Sequence, residues 1–329
     1  MVFLAFSTRM HRFLLISCLC IGFLNGSASL PAFSFLPQSD TVTAAALLPD
    51  TVINQGDSLK LHWLQPSPVL NRKRIRLFTG ISAAAYAGTM VGLNYLWYEG
   101  FPRSGFHFFD DSGEWLQVDK AGHTVTPYLE AYYIMNILRW AGVKHKSAAI
   151  RGGLMAFMLQ NSIEVFDGFS AEWGASLTDI AANFTGAALM TTQELVWGEQ
   201  RIRLKMMPHF VQYPEGELRD RAVQLYGSSL LVRLIKDYNS FNTWLSFNPA
   251  SFAPGYKILP WLNIAVGYGA GGMYGGYTNT WTDLQGVYHD RTDIERYRRF
   301  FLSVDIDFSR IPSRRSEERR VGKECRSRW

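Results

Sequence analysis

The feature that most limits what this chain can fold into is a set of polar side chains at helical spacing inside otherwise apolar stretches. Asp119 and His123 stand four residues apart with Lys120 beside them, so one helical face carries the acid and the imidazole. Gln160, Glu164 and Asp167 follow at i, i+4 and i+7, and Asp179, Asn183 and Gly186 repeat that spacing. Buried without partners, such groups are strongly unfavourable, so three stripes on three helices are expected to meet one another. The fold class read from this pattern is mainly α: a helical bundle with a polar core seam, followed by a small α+β C-terminal region with a few antiparallel strands.

The helices are read at 119–141, 147–166 and 176–199, with Ser147 and Ser176 as N-caps. Gly168 suits a helix stop, and Gly186 lets another helix approach closely. Pro127 has no N–H to donate, so the carbonyl of His123 is freed. Internal charges (Glu130 and Arg139; Arg151; Asp179 and Glu194) argue against clean membrane spans. The stretch 77–98 is uncharged until Tyr98 and long enough to span a bilayer, with Gly80, Ala84, Gly88 and Gly92 forming a smooth stripe. The positive charges at 72–76 oppose that orientation in a secreted chain, so a buried core helix is expected there.

Beyond Pro208, 217–237 reads as two short helical pieces around Gly227, and 261–277 is rich in glycine and aromatics. Residues 301–309 alternate strictly, with Leu302, Val304, Ile306 and Phe308 on one face and Ser303, Asp305, Asp307 and Ser309 on the other. This is the pattern of a half-buried strand. So few strands fall short of the roughly eight that close a membrane barrel.

The ends carry targeting and processing signals. Residues 13–24 form an apolar run behind Arg9 and Arg12, and Gly26-Ser27-Ala28 follows it, so 1–28 reads as a signal peptide. Leu15-Ile16-Ser17-Cys18 also fits a loose lipoprotein signal. The expected organisation is then a linker at 29–70, the helical bundle core at 71–210 and the C-terminal α+β region at 211–314. Residues 315–329, RSEERRVGKECRSRW, read as the translation of a sequencing adapter.

That tail contributes +3, and Arg9 with Arg12 contributes +2, which together account for the formal +5 of the chain. The remaining body is near neutral, so no nucleic-acid partner is expected. Cys18, Cys20 and Cys325 lie in the same two ends, which leaves the body without a disulfide, a thiolate metal site or a cysteine nucleophile.

Three readings of the polar constellation stay open. In the first it is a hydrogen-bonded latch that fixes helix register, while the C-terminal part contacts a membrane lipid or an envelope protein. In the second it belongs to an envelope hydrolase acting on lipid-linked or cell-wall substrates. His123 would then be the acid or base, Asp119 would orient it, and Glu164 and Asp167 would serve as further acid/base groups. In the third, His123 with Glu164, Asp167 and Asp179 holds a metal ion. That ligand set suits Mg, Mn or Zn, and the residues name no cofactor and do not choose among these metals.

The order DKxxH, ExxD, DxxxNxxG over roughly 115–200 resembles the YfiM-like lipoprotein family (domain of unknown function 2279). It is similar, more distantly, to the VanZ-like family, in which a Gln stands where this chain has Asp167. KDYNSFNTWLS (236–246) and WLNIAVGYGA (261–270) also resemble C-terminal blocks of longer family members. The resemblance implies a secreted, periplasmic or envelope-associated location and supplies no reaction.

Overall fold

The computed structural model describes residues 63–98, 102–283 and 285–311. The expectations for the signal peptide, for the linker up to residue 62 and for the tail therefore lie outside the described residues. The chain divides into two compact units, Met1–Ala85 with Trp140–Gly142, and Tyr86–Arg139 with Val143–Trp329.

Asn71 caps helix α1 (Arg72–Leu93), which belongs to the first unit as far as Ala85: its side-chain oxygen accepts the N–H groups of Lys73 and Arg74, each at 3.1 Å. The Arg74 guanidinium donates to the carbonyls of Gln65 and Trp140, both at 2.7 Å, and lies over the Trp140 ring.

The expectation of a buried core helix at 77–98 is overturned. Only Arg74 and Ile75 are buried along α1, and a Cβ added at Gly80, Gly88 or Gly92 would meet nothing within 4 Å. The large apolar side chains Leu77, Ile81 and Val91 stand exposed, and the stripe of Gly80, Ala84, Gly88 and Gly92 offers little apolar area to drive burial. Among the described residues no helix is long and apolar enough to cross a membrane.

The second unit contains α2 (Val118–Trp140), α3 (His145–Asp167) and α4 (Leu177–Val196). Helix α3 begins two residues before the expected Ser147, behind Lys144, which makes no side-chain cap. Ser176 does cap α4, accepting the Asp179 N–H at 3.0 Å. Two glycines set the helix approaches. A Cβ on Gly152 would fall 2.7 Å from the Ala131 carbonyl oxygen, and one on Gly186 would fall 1.9 Å from that of Thr124. Helices α3 and α4 thus each touch the backbone of α2, burying Tyr128, Met135, Leu138 and Met190.

The C-terminal part supplies α5 (Glu217–Tyr226), α6 (Leu230–Lys236) and α7 (Pro249–Phe252). Its strands are β1 (Ile202–Pro208), β2 (Phe241–Phe247), β3 (Leu262–Gly271), β4 (Thr280–Thr282), β5 (Tyr288–Asp290) and β6 (Tyr297–Ile306). Strands β1, β2, β3 and β6 form one antiparallel sheet in that order, and β4 pairs with β5. The described residues are thus about half helical with a small antiparallel sheet region, a mainly α chain with a C-terminal α+β part.

One expectation about this sheet reverses. The alternation in β6 is present, but its apolar face is the uncovered one: Phe300, Leu302 and Val304 are 73%, 79% and 71% exposed. The opposite face is the covered one: it carries the Trp244–Phe301 ring pair and, beside it, a polar network. There Ser246 donates to Asp305 (2.6 Å), Asn263 donates to Ser246 (3.1 Å), and Asn248 donates to Asn263 (2.6 Å). A polar network that satisfies its own hydrogen bonds can face inward, and the aliphatic side chains are left outside.

Candidate functional site

The route into α2 is strained. Trp115, Leu116 and Gln117 take φ of 49°, 50° and 62°, three successive non-glycine residues in the left-handed region. Each costs about 1–2 kcal/mol, so the surroundings must hold the turn. The Trp115 N–H donates to the Gly276 carbonyl at 2.8 Å, the Tyr268 hydroxyl donates to the Leu116 carbonyl, and Arg298 donates to Gln117 at 2.6 Å. Directly after it, Val118 packs with Phe241, Ala270 and Met273 of the C-terminal part. This anchors the first turn of α2 and aims Asp119, Lys120 and His123 at α4.

Lys120 is the centre of the cluster. Its ammonium lies 2.6 Å from Asp111 Oδ2, 3.0 Å from Asp119 Oδ2 and 2.7 Å from Asp179 Oδ1. These carboxylates come from the 107–111 loop, from α2 and from α4. Asp111 is fixed further by the hydroxyls of Ser176 (2.5 Å) and Thr178 (3.0 Å). Burial opposes ionisation of Asp111, but hydrogen bonds from Asp179, Lys120 and Ser176 outweigh it and hold its carboxyl at about 2. Burial also pulls Lys120 toward neutrality, and Asp119, Asp111 and Asp179 reverse that, so its ammonium is held more firmly than usual.

His123 sits one turn along α2. Its Nδ1 is 3.2 Å from Asn183 Oδ1 and 3.7 Å from Glu164 Oε1, and its Nε2 is 3.7 Å from Asp119 Oδ1 and 4.0 Å from Asp179 Oδ2. Burial lowers its pKa, but the surrounding carboxylates of Asp119, Asp179 and Glu164 produce a net rise. Glu164 is 2% exposed: Oε2 accepts the Ser176 N–H at 3.0 Å, while Oε1 has no hydrogen-bond partner. Burial pushes its carboxyl up to about 8 and that of Asp179 up to about 7. The side chains of Asp111, Asp119, Lys120 and His123 keep 13–19% of their surface exposed, so the cluster opens to solvent at that end.

The structure thus gathers Asp119, Lys120, His123, Glu164, Asp179 and Asn183, and Gly186 packs on α2 next to them. It sets two others apart. Asp167 accepts the Tyr98 hydroxyl at 2.5 Å, and burial raises its carboxyl to about 6. Gln160 donates to Glu130 at 2.7 Å, a separate link between α3 and α2. His145 opens α3 and lies 3.1 Å from the buried Glu194.

Sequence reasoning missed Asp111 and Tyr238, whose hydroxyl donates to Asp119 Oδ1 at 2.8 Å. Asp111 sits in a DDSG turn with no period, and Tyr238 lies far along the chain. Asp119, His123 and Asp179 each place one donor atom within 4.8 Å of the others, a set that could hold a metal ion.

A family model described as a predicted periplasmic lipoprotein (DUF2279) matches residues 106–193, the stretch that supplies the cluster apart from Tyr238. No curated protein and no solved structure matches the chain.

Proposed function

We propose that this is a periplasmic protein of the bacterial envelope with a structural and binding role. In this reading the Lys120 cluster is a charge latch that fixes the register of α2 and α4, and the C-terminal sheet meets a membrane surface with its apolar face. The description of the matched family supports the location. The order of DKxxH, ExxD and DxxxNxxG supports a YfiM-like kinship and a more distant VanZ-like one.

The observation that carries the latch is the division of Lys120 among three carboxylates from three segments. Such an ammonium balances charges that would otherwise repel one another in a low-dielectric setting, and it does so only when the segments are in register. Tyr238 extends the same tie to the residues that lead into β2.

Lys120→Met keeps the length of the side chain and removes its charge. It is expected to lower unfolding stability by about 3–5 kcal/mol, the usual consequence of leaving buried partners uncompensated. Lys146→Met, at an exposed position of α3, should change stability by less than about 0.5 kcal/mol. Urea unfolding of both variants checks this, and an unchanged midpoint for Lys120→Met rules out the latch.

A further inference from the structure

We infer that Asp119, His123 and Asp179 form a binding site for one divalent first-row cation of mixed nitrogen and oxygen preference, such as Zn2+. The inference rests on the latch reading, because Lys120 is what orients two of the three donors. Each carboxylate spends one oxygen on the ammonium and turns the other toward the imidazole. Asp119 gives Oδ2 to Lys120 and aims Oδ1 at His123 Nε2, while Asp179 gives Oδ1 and aims Oδ2. Asp119 Oδ1 also accepts from Tyr238, which leaves its second lone pair free for an ion.

The ring is oriented for the same purpose. Asn183 presents its carbonyl oxygen to Nδ1, which assigns the proton of a neutral imidazole to Nδ1 and leaves the Nε2 lone pair facing the two carboxylate oxygens. Those oxygens stand 3.7 and 4.0 Å away, beyond hydrogen-bond distance. Among the described residues, Nε2 makes no contact with these oxygens shorter than that, and an ion that takes the place of the Nε2 proton would meet all three atoms. With the donors within 4.8 Å of one another, an ion between them needs only small side-chain movement to reach the bond lengths of about 2.0–2.2 Å that zinc makes to nitrogen and carboxylate oxygen.

A second observation points the same way. Glu164 is almost fully buried and aims an oxygen without a hydrogen-bond partner at the Nδ1 side of the ring, 3.7 Å away. Acceptor oxygens from Asn183 and Glu164 behind the ring favour a proton on Nδ1 and so leave Nε2 for an ion. One nitrogen and two carboxylate oxygens suit Zn2+ or Mn2+ better than a soft cation, and the open side near Asp111 gives waters a route to the remaining positions.

The test uses purified protein stripped with EDTA and titrated with ZnCl2, read by calorimetry and by thermal unfolding. We expect one saturable Zn2+ site and a rise in Tm. His123→Gln should weaken binding by about tenfold or more, and Glu164→Gln, which touches no ion, should weaken it by about tenfold. His289→Gln should leave the affinity unchanged, since both ring nitrogens of His289 are already engaged by Asp283 and Glu217.

Should His123→Gln fail to fold, nitrogen NMR of the wild type decides, because Zn2+ must shift Nε2 of His123 and not that of His289. No saturable binding by the wild type overturns the site, as does wild-type affinity in His123→Gln, which marks an adventitious ion only. Stability of Lys120→Met in EDTA reports on the latch separately, so failure of the ion and failure of the latch can be told apart.

Discussion

At the scale of single residues, the informative feature is how unequally carboxylates are treated inside one unit. Asp111 is surrounded by donors and stays ionised, whereas Glu130 has one donor, Gln160, and leaves Oε2 without a hydrogen-bond partner. Burial therefore raises the Glu130 carboxyl from 4.5 to about 7. The linkage then has a definite sign. Between these two values the folded state holds a proton that the unfolded state has released, so stability falls as pH rises through this window. Below it both states are protonated and there is no penalty; above it the penalty is complete. Glu130→Gln keeps an acceptor for Gln160 and removes the titration. It should stabilise the protein by up to about 3 kcal/mol at pH 8 and have little effect near pH 4. Urea unfolding at the two pH values checks this, and an equal gain at both would exclude the buried charge as the cause.

At the scale of elements, glycines in similar sequence settings do opposite things. Gly88 in α1 has open space around it, so Gly88→Ala should stabilise that helix by about 0.5–1 kcal/mol through the unfolded chain alone. Gly186 in α4 lies against the backbone of α2, which cannot swing aside as a side chain can. Gly186→Ala must part the two helices and should cost about 1–3 kcal/mol. Thermal unfolding of the pair checks the contrast, and Tm shifts of the same sign would contradict it. The difference marks how far the sequence could be read. Helical spacing placed Asp119, His123, Glu164, Asp179 and Asn183 on the right faces, because an i, i+4 repeat fixes a face. It gave no sign of Asp111 or Tyr238, which come from turns without a period. The same spacing suggested a packed stripe in α1, where among the described residues nothing lies within 4 Å of a Cβ at Gly80, Gly88 or Gly92. In β6 the alternation grouped the correct residues but not the side that is covered, since that side is set by Ser246 and Asn263 on other strands.

At the scale of the whole molecule, the sheet places its aliphatic side chains where a water-soluble fold would place polar ones. Phe300, Leu302 and Val304 of β6 lie in register with Tyr268, Val266 and Ile264 of β3, and Leu245 of β2 continues the row beside Val266. Contiguous exposed apolar surface of this kind marks a contact site. On the covered face Ser246, Asn248, Asn263 and Asp305 bond one another, while Asn242 Oδ1, Trp244 Nε1 and Arg299 Nε have no hydrogen-bond partner among the described residues. Hydrocarbon is the partner that asks only for apolar area and makes no demand for hydrogen bonds, which suits a face without polar groups at its centre. The purified protein is accordingly expected to float with phospholipid vesicles in a density gradient. Leu302→Asp together with Val304→Asp should leave it at the bottom, with unfolding stability little changed because both side chains are already exposed. A protein that stays at the bottom without substitution would remove lipid as the partner. Concentration-dependent dimers abolished by the same pair of changes would instead assign the face to a second copy of the chain.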